Sequence, residues 1–201
     1  MKILAIGDIH GNTGLVKRLA KKAEEENIDL VIIAGDLTLF EISTDSLIGP
    51  FLKAKKEVLL IPGNHESLTT IDFLSELYPN VKNLHGSSFK KNGVGVFGAG
   101  GSSSVGPYSV INDEEIFKIL ENAHKDIKHS DKKIMVTHMH PYGSASEFSG
   151  FRGSKGVQKA LEKFKPDLHI HSHIHEIGGA EEKIGKTRVV NVSGKEKIFE
   201  I

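Results

Sequence analysis

Five apolar runs, each ending in a polar residue, constrain this chain more than any other feature. The most complete spans 29–36, Asp-Leu-Val-Ile-Ile-Ala-Gly-Asp, where glycine breaks the run and a carboxylate follows. A short continuous apolar run rich in Val and Ile reads as a strand buried on both faces, as in a parallel sheet. The grammar recurs. Ile3-Leu4-Ala5-Ile6 leads to Gly7-Asp8-Ile9-His10, and Val58-Leu59-Leu60-Ile61 leads to Pro62-Gly63-Asn64-His65-Glu66. Ile134-Met135-Val136-Thr137 leads to His138, and Pro166-Asp167-Leu168-His169-Ile170 leads to His171-Ser172-His173-Ile174-His175. Ligands of open α/β sheets bind beyond the carboxyl ends of the strands, so the five tips are expected to converge on one place.

The intervals supply the rest of the architecture. Asn12 or Thr13 can cap a helix with Leu15, Leu19 and Ala23 turned inward. A helix is expected over 43–54, with Gly49-Pro50 able to restart it, and another over 68–78, stopped by Pro79. Residues 81–85, 88–91 and 93–99 read as short antiparallel strands with Lys91-Asn92-Gly93 as a turn. Asn112 with Glu115, and Ser154, begin two more helices. Segments 184–192 and 195–201 close the chain as hairpin-like strands around Gly185 and Ser193-Gly194. The pattern predicts an α/β sandwich of two mixed β-sheets flanked by helices, as a single domain over 1–201.

Composition narrows the function classes. The 26 basic and 26 acidic residues balance, so no strong field draws in nucleic acid or an anionic membrane. There is no cysteine, which excludes disulfides, thiolate zinc sites and a cysteine nucleophile. No apolar run approaches the about 18 residues of a membrane helix. The N-terminus turns acidic too soon for a signal peptide, and a cytoplasmic protein is expected.

Of the 11 histidines, seven lie at or beside the predicted strand ends. Singly, a strand-end Asp is usually a turn former and a lone His usually structural. Jointly, Asp8, His10, Asp36, Asn64, His138, His173 and His175 make a set of oxygen and imidazole donors too large for one ion, since a borderline transition metal prefers about four to six ligands. Such a set suits two divalent ions with a shared carboxylate, the mixed N and O donors allowing Mn, Fe, Ni, Zn or Co. A water between the ions would lose a proton easily, giving a hydroxide at neutral pH.

Asp8-Ile9-His10, Gly35-Asp36, Gly63-Asn64-His65-Glu66, Thr137-His138 and Ser172-His173-Ile174-His175 together resemble the five blocks of the calcineurin-like metallophosphoesterase superfamily, in its order and over nearly the whole chain. The short length is similar to its small prokaryotic and archaeal phosphodiesterases. The resemblance implies that Asp8, His10 and His175 hold one ion, that Asn64, His138 and His173 hold the other, and that Asp36 bridges them. It also implies that His65 is not a ligand but the general acid that protonates the leaving oxygen. Two departures stand out. Phosphoprotein phosphatases of the superfamily carry an Asp three residues after the bridging Asp, where it orients the acid histidine, and here that position is Leu39. Ser172 replaces the usual glycine of the last block, a change expected to affect only backbone freedom.

Loops 100–111 and 139–153 are expected to overhang the ions, bringing Tyr108, Tyr142, Phe148, Phe151 and Arg152. Arg152 could take a phosphate oxygen. The aromatics could stack a nucleobase, pack their own loops or face a second copy in a homo-oligomer. His140, His169 and His171 are left to substrate contact, ligand support or core packing, and His85, His124 and His129 to surface or turn positions. The expected activity is hydrolysis of a small phosphodiester or nucleotide. Its rivals are a scaffold of the same fold, which would have lost ligands, and a nuclease on polymeric nucleic acid, which would carry more positive charge.

Overall fold

The computed structural model describes residues 1–103 and 105–201. Its first half runs β1 (Lys2–Ile6), α1 (Thr13–Glu25), β2 (Leu30–Ile33), α2 (Gly49–Lys53), β3 (Glu57–Leu60), α3 (Leu68–Leu77) and β4 (Val81–Asn83). The second half runs β5 (Ser88–Lys91), β6 (Val94–Ala99), α4 (Asp113–Lys125), β7 (Lys132–Thr137), α5 (Lys155–Phe164), β8 (Leu168–His171), β9 (Glu181–Ile184), β10 (Thr187–Asn191) and β11 (Lys197–Glu200). One mixed sheet has the order β11-β1-β2-β3-β4 and the other β5-β6-β7-β8-β10-β9.

Strand parity builds the layers. Ile3, Ala5, Leu30, Ile32 and Leu59 of the first sheet meet Val96, Ile134, Val136, Ile170 and Val190 of the second in a core between the sheets. The alternate residues Leu4, Ile6, Val31 and Ile33 turn outward onto Val16, Leu19 and Ala23 of α1 and Phe51 of α2. Met135 and Val189 turn outward onto Leu120 of α4 and Leu161 of α5. Two mixed sheets between two helical layers are the sandwich expected from the sequence. No helix among the described residues is long and apolar enough to cross a membrane.

Three local expectations are corrected. The helix expected over 43–54 is only α2, because Pro50 suits a helix start and the Ser43 hydroxyl draws the Asp45 N–H into a local turn (3.0 Å). β4 is not antiparallel but joins β3 in parallel, Val58 opposite Val81, by a crossover through α3. Only β5 and β6 form the expected hairpin there, turning through Asn92 and Gly93, both at positive φ. At the C-terminus, β9 and β10 pair around Gly185, but β10 and β11 do not. The chain passes from one sheet to the other at 193–194, so that Phe199 comes to lie beside Ile3 on β1, buried between the sheets.

Candidate metal centre

Register brings the tips together. Ile6, Ile33 and Leu60 end β1, β2 and β3 level with one another, and Val136 and Ile170 pair across β7 and β8. Asp8, Asp36 and Asn64 follow the first three strands and His138 and His173 the other two, so both sheets deliver donors to the same end. The chain turns sharply there. Asp8 (φ 54°), His10 (φ 46°), Asp36 (φ 51°) and His173 (φ 74°) all occupy the left-handed region without being glycine. Such conformations cost about 1–3 kcal/mol each and persist where surrounding structure overdetermines them, typically at functional sites.

The donor atoms form two principal groups. In the first, Asp8 Oδ1 lies 3.2 Å from His175 Nε2 and 3.8 Å from His10 Nε2, and the two imidazole nitrogens are 3.3 Å apart. In the second, His138 Nε2 lies 3.0 Å from Asn64 Oδ1, 3.1 Å from His173 Nδ1 and 3.5 Å from Asp36 Oδ2. Asp36 Oδ2 also lies 3.9 Å from His10 Nε2, so a single carboxylate oxygen faces both groups. The ligand atoms of Asp8, His10 and His175, and those of Asp36, His138 and His173, are close enough to hold an ion each; His10, Asp36 and His65 form a third such group.

The donor chemistry fits cations. Among the described residues Asp8 Oδ1 is buried without a well-formed hydrogen bond beside two imidazoles, the arrangement a metal would complete. His138 Nδ1 donates to the Ala34 carbonyl (3.0 Å), which leaves the Nε2 lone pair toward Asn64 and Asp36. Burial disfavours a charge on His138, yet the carboxylates of Asp36 and Asp8 outweigh it and raise the proton affinity of the ring. Burial also opposes ionisation of Asp8, but the neighbouring His175 and His138 hold its carboxyl well below the usual range. The cluster is thus an anionic pocket that draws positive charge.

Comparison with known proteins decides the family. The family model for calcineurin-like phosphoesterases matches residues 1–176. The chain belongs to that family. No curated protein sequence matches the chain. Among solved structures, TT1561 of Thermus thermophilus is similar at a TM-score of 0.76 and 20% identity, over 94% of this chain and 88% of that one. A dimetal phosphatase from Danio rerio is similar at 0.67 and 11%, over 95% and 86%. A novel archaeal phosphodiesterase is similar at 0.57 and 15%, over 95% and 82%. At these identities the likeness establishes the fold, and a phosphatase and a phosphodiesterase share it equally.

A buried carboxylate that sequence reasoning quoted but gave no role holds this phosphoesterase centre in shape. Glu66, fully buried, accepts from the backbone N–H of Asp36 (3.1 Å), Thr38 (2.6 Å) and Gly63 (2.9 Å) and from the Thr38 hydroxyl (2.9 Å). It staples the loop after β2 to the loop after β3, which carry Asp36 and Asn64. Burial and the Asp36 charge push its carboxyl up to about 7 despite those donors. Gly63 is required by the same approach, since a Cβ there would lie 1.9 Å from Asp36 Oδ1. Glu66→Ala should leave the buried donors unpartnered, lower stability by about 2–4 kcal/mol and weaken metal binding about 10- to 100-fold. Denaturant unfolding and metal titration of the variant check both effects.

The remaining histidines of the phosphoesterase sort by their contacts. His65 lies 3.8 Å from Asp36 Oδ2, its N–H donates to Asp36 Oδ1 (3.0 Å), and burial depresses its pKa although Asp36 opposes the shift. His169 and His171 are buried, and burial holds His169 well below the imidazole range and His171 at about 3. His169 bonds the Thr137 hydroxyl (2.7 Å), so it supports the strand that presents His138. His140 Nε2 donates to the Phe151 carbonyl (3.2 Å) and ties loop 139–153 to itself. His124, expected as a surface residue, instead stacks on Phe164 at 4.4 Å. Ser172 does more than alter backbone freedom: its hydroxyl donates to the Ala34 carbonyl and lies 2.9 Å from His138 Nδ1, fixing that ring.

Both long loops border the centre. Gly106 lies directly against Asn64, and the Ser103 N–H meets Met139 Sδ (2.9 Å), one residue past His138. Arg152 stands over the Tyr142 ring at 5.1 Å. With Ser103, Asn112, Asp113, Gly153 and Lys155 it lines a cleft of 340 Å³ that contains none of the candidate ligands. A cavity of 460 Å³ between α5 and the β9–β10 hairpin likewise shares no residue with the clusters.

Proposed function

We propose that this chain is a phosphodiesterase that works with two divalent ions, Mn, Fe, Ni, Zn or Co, on small phosphodiesters or nucleotides. The observation that carries the two-ion reading is Asp36 Oδ2, a single buried carboxylate oxygen facing both His10 and His138. In this reading Asp8, His10 and His175 hold one ion, Asn64, His138 and His173 the other, and Asp36 is common to both. Two such ions supply an activated water and neutralise charge on the phosphoryl oxygens.

The chain's own residues supply the rest. The backbone tie from His65 N–H to Asp36 Oδ1 keeps that imidazole at the edge of the cluster, where it can protonate the departing oxygen. Ser172 and the Ala34 carbonyl hold His138 in one tautomer. Gly106 lies against Asn64 and loop 139–153 leaves directly from His138, and Arg152 could meet a phosphate oxygen or a substituent from the neighbouring cleft.

The charge balance favours diesters. A monoester is largely a dianion at neutral pH and calls for cationic donors beyond the ions. Of three arginines, Arg18 pairs with Glu196 and Arg188 with Glu181, which among the described residues leaves Arg152, with Lys155 beside it in the same cleft. A diester carries one negative charge. Bis-nitrophenyl phosphate and short or cyclic nucleotides are therefore expected to be better substrates than the matched monoesters. The check is kcat/KM for matched nitrophenyl mono- and diesters with one metal. A monoester preference above about tenfold, about 1.4 kcal/mol in the transition state, overturns the diesterase reading.

A further inference from the structure

Among the described residues no hydrogen bond aims the His65 ring, since Asp36 Oδ2 lies 3.8 Å from its Nε2. Its Nδ1 is buried with no hydrogen-bond partner among the described residues, and the position that holds an orienting Asp in phosphoprotein phosphatases is Leu39. What touches the ring is aromatic. Phe40 stacks on it, with centroids 4.1 Å apart and planes 19° apart, and His10 meets it edge-on at 4.6 Å.

The backbone around Phe40 fixes it there. Phe40 (φ 52°) and Glu41 (φ 59°) are consecutive non-glycine residues in the left-handed region. The Glu41 carboxylate pins the strap to the start of α3, accepting from the Ser67 N–H (2.7 Å), the Ser67 hydroxyl (2.8 Å) and the Thr70 hydroxyl (2.5 Å). The Glu41 N–H donates to the Thr38 hydroxyl (3.2 Å), which itself donates to Glu66. The strap that carries Phe40 is thus tied both to α3 and to the carboxylate that staples the metal loops.

The ring is also open to solvent. Phe40 is 47% exposed although His65 covers one side of it, and Leu39 and Ile42 beside it are 40% and 78% exposed. An oxygen that takes a proton from His65 must lie within about 3 Å of the imidazole. A substituent on that oxygen would have the exposed part of Phe40 beside it. We propose that Phe40 is the positioning residue for His65 and one wall of the leaving-group subsite, and that this subsite takes a flat aromatic group such as a nucleobase or aryl ring. The inference rests on the phosphoesterase reading with His65 as the acid.

Methyl aryl phosphates with phenol, 2-naphthol and 4-nitrophenol as leaving groups test it. Phenol and 2-naphthol have similar acidity but different ring area. The wild type should favour 2-naphthyl over phenyl about tenfold in kcat/KM, within the range that ring stacking supplies. Phe40→Ala should reduce that ratio to about one and lose more kcat on phenyl than on 4-nitrophenyl, whose oxygen hardly needs a proton. Phe40→Tyr should restore both, with metal content and melting temperature unchanged in each variant. A Phe40→Ala variant that keeps the 2-naphthyl ratio, or loses kcat equally on phenyl and 4-nitrophenyl, overturns the proposal. A wild type that binds no metal and cleaves none of the three defeats the phosphoesterase reading itself, and this inference with it.

Discussion

Asp36→Asn should cost the protein its metal as well as its activity. The substitution is nearly isosteric, and Oδ1 can still accept from the His65 N–H, so the fold should survive. The other oxygen becomes an amide N–H₂ that faces His10 and His138 and cannot ligate. We expect bound metal below one ion per chain and kcat/KM lower by at least about 10³, or about 4 kcal/mol. Elemental analysis, kinetics and a melting curve on the same preparation separate lost metal from lost fold.

His65→Asn should do the reverse and leave the metals in place. Loss of a general acid lowers kcat by about 10² to 10⁴ with most substrate affinity kept. The loss should shrink for a nitrophenolate leaving group, which departs without a proton. Because His65 also falls within ligating distance of His10 and Asp36, its role is open to direct contradiction. A His65→Asn protein that has lost an ion would make it a ligand.

The sequence made the convergence legible because strand ends are written in two alphabets at once. An apolar run such as Leu30–Ile33 followed by glycine and a carboxylate marks both the element and the place where it stops. The capping residues Asn112 and Ser154 were equally legible, and of Asn12 and Thr13 it is Asn12 that caps; each of the three accepts an N–H from the first turn of its helix. Long-range choices were not. Nothing local in Val81–Asn83 says that it pairs in parallel with β3, and nothing in Lys197–Glu200 says that it pairs with β1. Those outcomes depend on crossovers and on where Phe199 can be buried.

At the site, the ligand types could be read but the backbone that aims them could not. The left-handed turns at Asp8, His10, Asp36 and His173 fall on residue types enriched in that region, but the chain's other Asp and His residues do not adopt it, so residue type alone does not mark the turns. Glu66 could have been singled out, since a carboxylate directly after Gly-Asn-His on an apolar run must find donors or stay protonated. Phe40 could not. Its contact with His65 depends on Glu41 reaching Ser67 and Thr70 across 26 and 29 residues.

The central claim is a centre of two ions sharing Asp36, and metal counting tests it most directly. The protein should be stripped with a chelator, reconstituted with excess Mn or Zn, freed of unbound ion and measured by elemental analysis. Two ions per chain are predicted for the wild type, with a higher melting temperature than the stripped protein because metal binds the folded state. One ion or fewer at saturating metal would contradict the account.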